Sequence, residues 1–492
     1  MASTEIFPAD LSEPSSLPPD PAARGEQSCS TSESTWASVE ADLARIRERA
    51  LTALVRGAAA GFALRGGLHL LSKALSLVSA RRSKKTVLSG RHPLEETARY
   101  TAFLGALGGV YVAVDEGLAL WLGKKKTAKW RALVAGLCAG PSILLTGSDV
   151  RHNSLSLYIF LRGLTLLIRC GNKPSSRAWL RALLAPTRFE HGDTLMMCLA
   201  SYQILYSFIV MPHTMPKSYV HFLQRHALKA PYVWEAIREL LAHNATSSLP
   251  ATELQALKGT GHIPICTRVP CSLLHPSQSC AGHIGRFLPA AYIRALPVYL
   301  PVYLIPALLV HRKRLWTEPL AILPRVLLGT LRSSGFLALY IGCALAGACS
   351  GHSIFGTTSG VFCGFLTSVA GLATLVEKKS RRMELALYCA SRAIQALFEC
   401  MVEWGYAKPF RFRMDVVLFS IACGAIMHCY SGDEGRHRDT FRSKYLNVLD
   451  FVYGNSGLNV GRIKHIPSNQ DLLQTLHQRN GWVSQFMPFL GG

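Results

Sequence analysis

Charged residues are scarce in this 492-residue sequence, and acidic residues are the scarcest. Asp, Glu, Lys and Arg together make up 17% of the chain, whereas hydrophobic residues make up 49%. The mean hydropathy is accordingly positive, at +0.21. Soluble proteins of this length are rarely so apolar, so the composition favours a membrane protein.

Sequence motifs of the common catalytic folds are also missing. The chain contains no Walker loop, no Gly-x-Ser-x-Gly, no His-Glu-x-x-His and no dinucleotide-binding fingerprint. We therefore expect a protein that is not an enzyme, without catalytic residues. Lys and Arg outnumber Asp and Glu by 53 to 30, but they cluster at the ends of apolar runs. That placement is typical of loops beside membrane spans, so we expect no nucleic-acid partner.

Nine apolar runs have roughly the length that a membrane-spanning helix needs. They cover residues 100–122, 132–147, 153–168, 193–211, 292–310, 334–351, 360–376, 384–402 and 414–430. A tenth run, 51–80, is interrupted by Arg56, Arg65 and Lys73. It is a short span, a hairpin or an amphipathic helix on the membrane surface.

The run "ALPVYLPVYLIPALLV" contains Pro297, Pro301 and Pro306 within an almost purely apolar stretch. Proline breaks helices in water, but in a bilayer neighbouring helices and water satisfy the carbonyl groups that it frees. We predict a kinked transmembrane helix here rather than a polyproline linker.

Small residues recur at the Gly-x-x-x-Gly spacing that lets helix backbones approach closely in lipid. We predict that these glycines pack helices together: Gly57, Gly61, Gly136, Gly140, Gly347, Gly351, Gly360 and Gly364.

The two halves of the chain resemble each other. Both contain Leu-x-Leu-Tyr-x-x-x-Arg, ending at Arg162 and Arg392, and in both an Asp opens the next span, at Asp193 and Asp415. Basic loops alternate in opposite phase in the two halves, which predicts two four-helix repeats of inverted topology, an arrangement frequent in transporters.

Arg162 and Arg392 lie inside predicted spans, where a charge is costly. They either line a polar cavity or bind lipid phosphate, or they are snorkelling or structural residues paired with an acid such as Asp115 or Glu116. Asp193 and Asp415 are expected to be helix N-caps rather than ion ligands.

A hydrophilic insert at 212–288 separates the halves and carries a Cys/His-rich stretch. Cys266, Cys271, His275 and Cys280 are spaced Cys-x4-Cys-x3-His-x4-Cys, with His283 as a spare ligand. Three thiols and an imidazole form the ligand set of a structural Zn²⁺ site, although the first spacing is wider than usual. A disulfide or unpaired thiols are the alternatives.

Several of these stretches resemble the transmembrane protein 135 family, most closely its plant-type members. The similar segments are "FLPAAYIRALPVYLPVYLIPALLVHRKRL", "GFLTSVAGLATLVEKKSRRMELALYCASRAIQALF", "RHNSLSLYIFLRG" and "HGDTLMMCLASYQIL". The resemblance implies a multi-pass protein of mitochondrial and peroxisomal membranes, linked to fission–fusion balance, peroxisome organisation and lipid handling. It brings no established catalytic residues. The two halves are also distantly similar to the Tim-type preprotein translocase and peroxisomal membrane protein superfamily.

We therefore predict an all-α polytopic membrane helix bundle that acts in organelle membrane organisation. Its partners would be the lipid bilayer and proteins of the fission or import machinery. A transporter or protein-conducting channel, and a metal-dependent docking module on a membrane anchor, are the alternatives. The predicted segments are a disordered tail (1–40), an amphipathic or short-span region (41–97), the first repeat (98–211), the insert (212–288), the Pro-rich helix (289–314), the second repeat (333–430) and a basic tail (431–492).

Overall fold

A computed structural model describes residues 21–79, 93–147, 150–242, 271–275, 278–310, 319–355 and 360–454. All regular structure in these residues is helical. The helices are α1 (Pro21–Ser79), α2 (Pro93–Leu122), α3 (Lys124–Thr127), α4 (Arg131–Ala139), α5 (Val150–Gly171), α6 (Ala178–Leu183), α7 (Gly192–Val210), α8 (Lys217–Ala227), α9 (Pro231–Ala242), α10 (Cys271–Leu274), α11 (Cys280–Val310), α12 (Pro319–Phe355), α13 (Gly360–Thr367), α14 (Lys379–Glu403), α15 (Met414–Ser431) and α16 (Ser443–Tyr453). 3₁₀ turns at Gly140–Thr146 and Ser368–Val376 extend α4 and α13.

Seven of these helices are long and apolar enough to cross a bilayer. Their apolar segments are Leu94–Leu122, His152–Gly171, Gly192–Val210, Cys280–Leu304, Ile322–Ser350, Lys379–Glu403 and Met414–Gly435. Two further apolar helices, Arg131–Thr146 and Gly364–Val376, are shorter. Together they coincide with the nine predicted spans, so the all-α polytopic bundle is confirmed. The ambiguous tenth run lies in α1, which is not among these seven in the described part of the chain.

Large apolar side chains cover the outside of the candidate spans. Leu199 on α7 is 66% exposed, Leu328 on α12 is 59% exposed and Phe365 on α13 is 60% exposed. A helix that is apolar both towards its neighbours and outwards needs an apolar medium around it. These exposed surfaces therefore face lipid.

The Pro-rich segment is a single helix, α11, which continues through Pro289, Pro297 and Pro301. It begins at Cys280, inside the stretch predicted as the insert. It packs along α12, where the ring of Tyr303 lies against Gly329 and its hydroxyl is 2.8 Å from Ser333 Oγ. The partner helix thus supplies the tertiary contacts that a proline-containing helix needs.

The described part of the insert is a helical cover docked on the spans. Leu223, Trp234 and Leu274, from α8, α9 and α10, are buried in the same apolar cluster as Phe208 of α7 and Tyr340 of α12. The rest of the insert, residues 243–270 and 276–277, lies outside the described residues.

The ends of the chain are described only in part. α1 begins at Pro21, within the predicted tail, and proline is well suited to a first helical position. Residues 1–20 and 455–492 lie outside the described part.

The last span of each half packs against the other half. α15 lies on α4 and α5, whereas α7 lies on α13 and α14. Glycines make both contacts close: a Cβ at Gly136 would lie 2.7 Å from the backbone of Gly424, and a Cβ at Gly371 would lie 2.5 Å from the backbone of Cys198. The halves therefore form one interlocked bundle.

The structure places most of the predicted glycine pairs at helix crossings. Gly57 and Gly61 meet the backbone of α2, and Gly140 meets Ser420 of α15. Gly347 meets the backbone of Leu366, and Gly364 meets Tyr202. The surroundings of Gly351 and Gly360 lie outside the described side chains.

Candidate metal centre

Three of the predicted metal ligands converge around α10. Cys271 is the first residue of this helix, and the backbone N–H of His275 donates to the Cys271 carbonyl at 2.8 Å. One helical turn therefore places the two side chains on the same face. The chain then reverses, with the Gln278 N–H donating to the His275 carbonyl at 3.2 Å, and α11 begins at Cys280.

Cys349, near the end of α12, completes the cluster. Its Sγ lies 3.3 Å from His275 Nε2, and Cys271 Sγ lies 3.7 Å from Cys280 Sγ. The ligand atoms of all four residues lie within 4.8 Å of one another. In a tetrahedral Zn²⁺ site, bond lengths of about 2.3 Å to sulfur and 2.0–2.1 Å to nitrogen place two sulfurs about 3.8 Å apart, and a sulfur and a nitrogen about 3.6 Å apart. The cluster therefore has the size of a Cys₃His zinc site.

The imidazole of His275 is oriented for coordination. Its Nδ1 lies 2.9 Å from the Gln278 carbonyl and donates a proton to it. Nε2 is then the unprotonated nitrogen, and it faces the Cys349 thiol. A backbone carbonyl that fixes the tautomer in this way is the usual outer partner of a metal-binding histidine.

Burial and charge also suit a metal ion. Cys271, His275 and Cys349 are each 3% exposed, whereas Cys280 is exposed and lies at the open side of the cluster. Lys229 donates from Nζ to the Leu274 carbonyl beside it. Burial lowers the pKa of Lys229, and Cys349 opposes that shift. Three thiolates around one Zn²⁺ carry a net charge of −1, which the Lys229 ammonium would offset.

His283 lies next to the cluster but is not one of its four members. Its ring stacks on that of His275 with centroids 5.0 Å apart, and it is 9% exposed. Its Nε2 is buried and has no hydrogen-bond partner among the described residues. A buried nitrogen with no partner costs free energy, so its presence here is consistent with a ligand-binding role.

The structure differs from the sequence-based ligand set in its fourth member. Cys349 follows Cys280 by 69 residues and lies in an apolar run, where a cysteine resembles any small buried hydrophobe. Cys266, the predicted fourth ligand, lies outside the described residues. No sequence pattern indicated Cys349, because only the packing of α10 on α12 brings it to the site.

Arg162, on α5, lies in a second polar cluster. Its guanidinium donates to Tyr445 Oη at 2.6 Å and to Tyr158 Oη at 3.2 Å, and it lies 3.7 Å from Glu384. Glu384 also accepts from Arg442 and from the Tyr445 hydroxyl, each at 2.8 Å. Arg162 is therefore paired with an acid, as one of the two interpretations expects.

The acid is not one of those proposed from the sequence. Asp115 lies 2.9 Å from Arg131, and Glu116 pairs with Arg49. Glu384 takes their place because the packing of the two halves brings α14 beside α5.

Arg392, on α14, also contacts aromatic rings and a hydroxyl group, but it forms no ion pair with the acids that the structure describes. It donates to Ser154 Oγ at 2.5 Å, and its guanidinium lies 5.4 Å from the Tyr388 ring and 5.7 Å from the Tyr219 ring. Its buried Nε has no hydrogen-bond partner in the described part of the chain. The aromatic faces stabilise its charge.

Asp193 and Asp415 lie in the first turns of α7 and α15 rather than at the N-caps, which are His191 and Arg413. Asp193 Oδ1 accepts from its neighbour's backbone N–H at 2.8 Å, and Asp415 lies 2.6 Å from Arg413. Carboxylates in a first turn interact favourably with the helix dipole, which gives both a structural role.

We expect Glu384→Gln to destabilise the protein by about 2–3 kcal/mol, because hydrogen bonds to a charged acceptor contribute that much and two arginines would lose their counter-charge. Thermal unfolding in detergent measures the change. Glu190→Gln is the matched control, since its ion pair with Lys379 is about two-thirds exposed on both sides, and it should leave the melting temperature unchanged. Equal melting temperatures for the two variants would contradict the prediction.

Comparison with known families places the cluster in a recognised region. Residues 275–402 match the model of a family described as the N-terminal cysteine-rich region of Transmembrane protein 135. The matched region begins at His275 and includes Cys280, Cys349 and the Pro-rich helix. It therefore contains three of the four clustered side chains. No solved structure matches the chain.

Proposed function

We propose that this chain belongs to the transmembrane protein 135 family and is a non-enzymatic multi-pass protein of mitochondrial or peroxisomal membranes. There it would act in membrane organisation and dynamics and in lipid handling. The observation that carries the proposal is the family match over 275–402, which covers α11 to α14 and most of the Cys/His cluster. The seven long apolar helices support the membrane environment.

The cluster would serve this function as a structural metal site. Cys271, His275, Cys280 and Cys349 would hold Zn²⁺, which would supply a fixed tetrahedral cross-link. Four protein ligands leave no open position for a substrate, so this chemistry is architectural. The cross-link would join the insert and the start of α11 to the end of α12, in keeping with a metal-dependent docking role for the insert.

The proposal is tested in cells from which the endogenous family member has been removed. We expect the tagged chain to fractionate with mitochondria or peroxisomes, to resist alkaline carbonate extraction and to restore organelle morphology. A matched chain with Cys271→Ser should reach the same membranes at lower abundance. Residence in another membrane, with no change in either organelle, would contradict the proposal.

A second candidate, a transporter or Tim-type channel, is favoured by a correspondence between the two halves. Arg162 contacts Tyr445 and lies near Glu384, whereas Arg392 contacts Tyr219 and Ser154. Residues 384 and 154 each precede the arginine of their own helix by eight positions. α5 and α14 therefore cross in antiparallel directions around an approximate two-fold axis.

The same correspondence recurs about two helical turns beyond each arginine, eight residues further along its helix. Cys170, at the end of α5, lies 3.5 Å from Cys429 and 3.9 Å from Thr440. Cys400, at the end of α14, lies 3.6 Å from Ser207 and 3.8 Å from Thr214. These reciprocal contacts support two inverted repeats whose last spans have been exchanged, an architecture that transporters often use.

A flux assay in proteoliposomes separates the two functions. A transporter should move a solute or peptide in a manner that Arg392→Gln abolishes. The control is Arg99→Gln, since Arg99 forms only an exposed pair with Glu95. Absence of flux with both variants and with the parent chain supports the organisational role.

A further inference from the structure

A polar cavity of about 510 Å³ lies between α1, α2 and α4 and the ends of α15 and α16. Its volume lies within the range of small-molecule sites. The wall carries four acidic and four basic side chains, together with three tyrosines. This site is separate from the metal centre, and the inference drawn from it does not depend on the proposed function.

The charges of the wall are balanced, and most of them are paired. Arg131 Nε lies 2.9 Å from Asp115 Oδ1, and Arg49 pairs with Glu116; all four side chains are at most one-third exposed. A purely anionic ligand would compete with these carboxylates and leave them without a partner, which is costly when they are partly buried. A ligand with one charge of each sign avoids that cost. Its anionic group can pair with the arginine of an ion pair while its cationic group pairs with the carboxylate.

Lys124 and Glu434 add one further charge of each sign at the rim. Both are exposed, and neither forms an ion pair within the residues that the structure describes. Their opposite signs match the two ends of a zwitterion, with Lys124 attracting an anionic group and Glu434 a cationic group.

The backbone beside Glu434 is held in an unusual conformation. Asp433 and Glu434 have φ values of 50° and 58°, in the left-handed region that only glycine adopts without cost. The Asp433 N–H donates to the Ala128 carbonyl at 2.8 Å, which ties this rim to the loop before α4. Strained residues of this kind persist where the surrounding structure fixes them, and they cluster at ligand clamps.

The residues beside the mouth of the cavity are typical of a membrane–water interface. The candidate span in α2 ends at Leu122, and its neighbour Trp121 is 85% exposed. Leu120, one residue earlier, lines the cavity, and three lysines begin two residues after the span. Exposed tryptophan followed by lysine is typical of the membrane–water interface. A zwitterionic lipid headgroup would therefore lie beside the mouth of the cavity.

From these observations we propose that the cavity binds the headgroup of a zwitterionic phospholipid. Its phosphate would lie towards Lys124 and the arginines Arg49 and Arg131. Its ammonium group would lie towards Glu434 and the carboxylates Asp115 and Glu116. The recognition requires a phosphate and an ammonium group in one ligand, and the acyl chains would stay in the bilayer.

The test uses the full chain, purified in detergent and depleted of lipid. We expect phosphatidylethanolamine or phosphatidylcholine to bind at one molecule per chain by native mass spectrometry and to raise the melting temperature. Phosphatidylglycerol and diacylglycerol with the same acyl chains should do neither. Equal binding of phosphatidylglycerol, or no binding of any lipid, would overturn the proposal. If free glycerophosphoethanolamine binds as tightly as the intact lipid, the ligand is a soluble zwitterion and the lipid assignment fails.

Exposed rim residues supply variants that do not threaten folding. Lys124→Gln and Glu434→Gln should each weaken phosphatidylethanolamine binding by about tenfold, since each removes one charged contact. Lys126→Gln is the control, because Lys126 is also exposed in the same short helix, α3, but does not line the cavity. Unchanged affinity in both rim variants would place the bound lipid elsewhere on the protein and overturn the assignment.

Discussion

A Cys349→Ser variant should lose the Zn²⁺ that we expect at about one ion per chain in the purified parent protein. Serine keeps the shape of cysteine but is a poor ligand for zinc, so only three donors remain. Binding to the folded state alone stabilises a protein by about 4 kcal/mol when the free metal is a thousandfold above Kd. Elemental analysis and thermal unfolding in detergent should therefore both change, the melting temperature falling by roughly 4 °C, since the entropy of unfolding of a chain this long is large.

The matched control for this variant is Cys343→Ser. Cys343 lies on the same helix and packs against the same apolar cluster, but it is not one of the four clustered ligands. It should keep its zinc and lose little stability. The parent chain should also be destabilised by a strong chelator, to nearly the same extent as by Cys349→Ser.

A disulfide between Cys271 and Cys280 is the competing outcome. Their sulfurs lie 3.7 Å apart, which matches the edge of a zinc tetrahedron and exceeds the disulfide bond length of about 2.05 Å. If a disulfide forms, a reductant and not a chelator should lower the melting temperature, and intact mass should fall by two hydrogens. A parent protein that is free of metal and indifferent to chelators would contradict the zinc assignment.

The candidate metal centre shows how far sequence spacing carries a prediction. Cys271, His275 and Cys280 lie within ten residues, so local backbone geometry brings them together, and their side chains are of the types that bind Zn²⁺ in structural sites. Cys349 belongs to an apolar helix, in which a thiol and a methyl group fit the hydropathy pattern equally well. Cys349 reaches the other three side chains only because the insert docks on α12. The spacing of cysteine and histidine along the sequence does not predict that contact.

The fold, like the candidate site, could be predicted only in part. Span positions follow from the length of apolar runs, because the bilayer fixes how much apolar helix is needed. The packing partners of those spans cannot be predicted from apolar runs, because the surfaces that face lipid and the surfaces that face other helices are both apolar. Glu384 therefore could not be identified as the partner of Arg162, although Arg162 stood out as a charge within a predicted span. Glycine spacing indicated close packing, but not that Gly136 would meet α15 from the other half.

The close packing of α7 and α15 on the opposite halves of the chain leads to the second prediction with a large effect. Gly136→Ala and Gly371→Ala should each destabilise the bundle by about 3 kcal/mol or more, because the added methyl group meets backbone atoms and overpacking alone costs about 1–3 kcal/mol. At Gly371 the new Cβ would lie 2.5 Å from both N and Cα of Cys198, and at Gly136 it would lie 2.7 Å from the carbonyl oxygen of Cys423. Fluorescence-detected size-exclusion chromatography after heating should show early loss of the monodisperse peak.

A graded series of glycines makes this prediction specific to the packing of backbones. A methyl group at Gly117, on α2, meets nothing within 4 Å, so Gly117→Ala should stabilise the helix by up to about 1 kcal/mol. At Gly342 the nearest atom, 2.7 Å away, is the end of the Leu288 side chain, which can move, so Gly342→Ala should fall between the extremes. The order of melting temperatures should therefore be Gly117→Ala, Gly342→Ala and then Gly371→Ala. If all three variants melt at the same temperature, the close crossing of α7 with the second half is wrong.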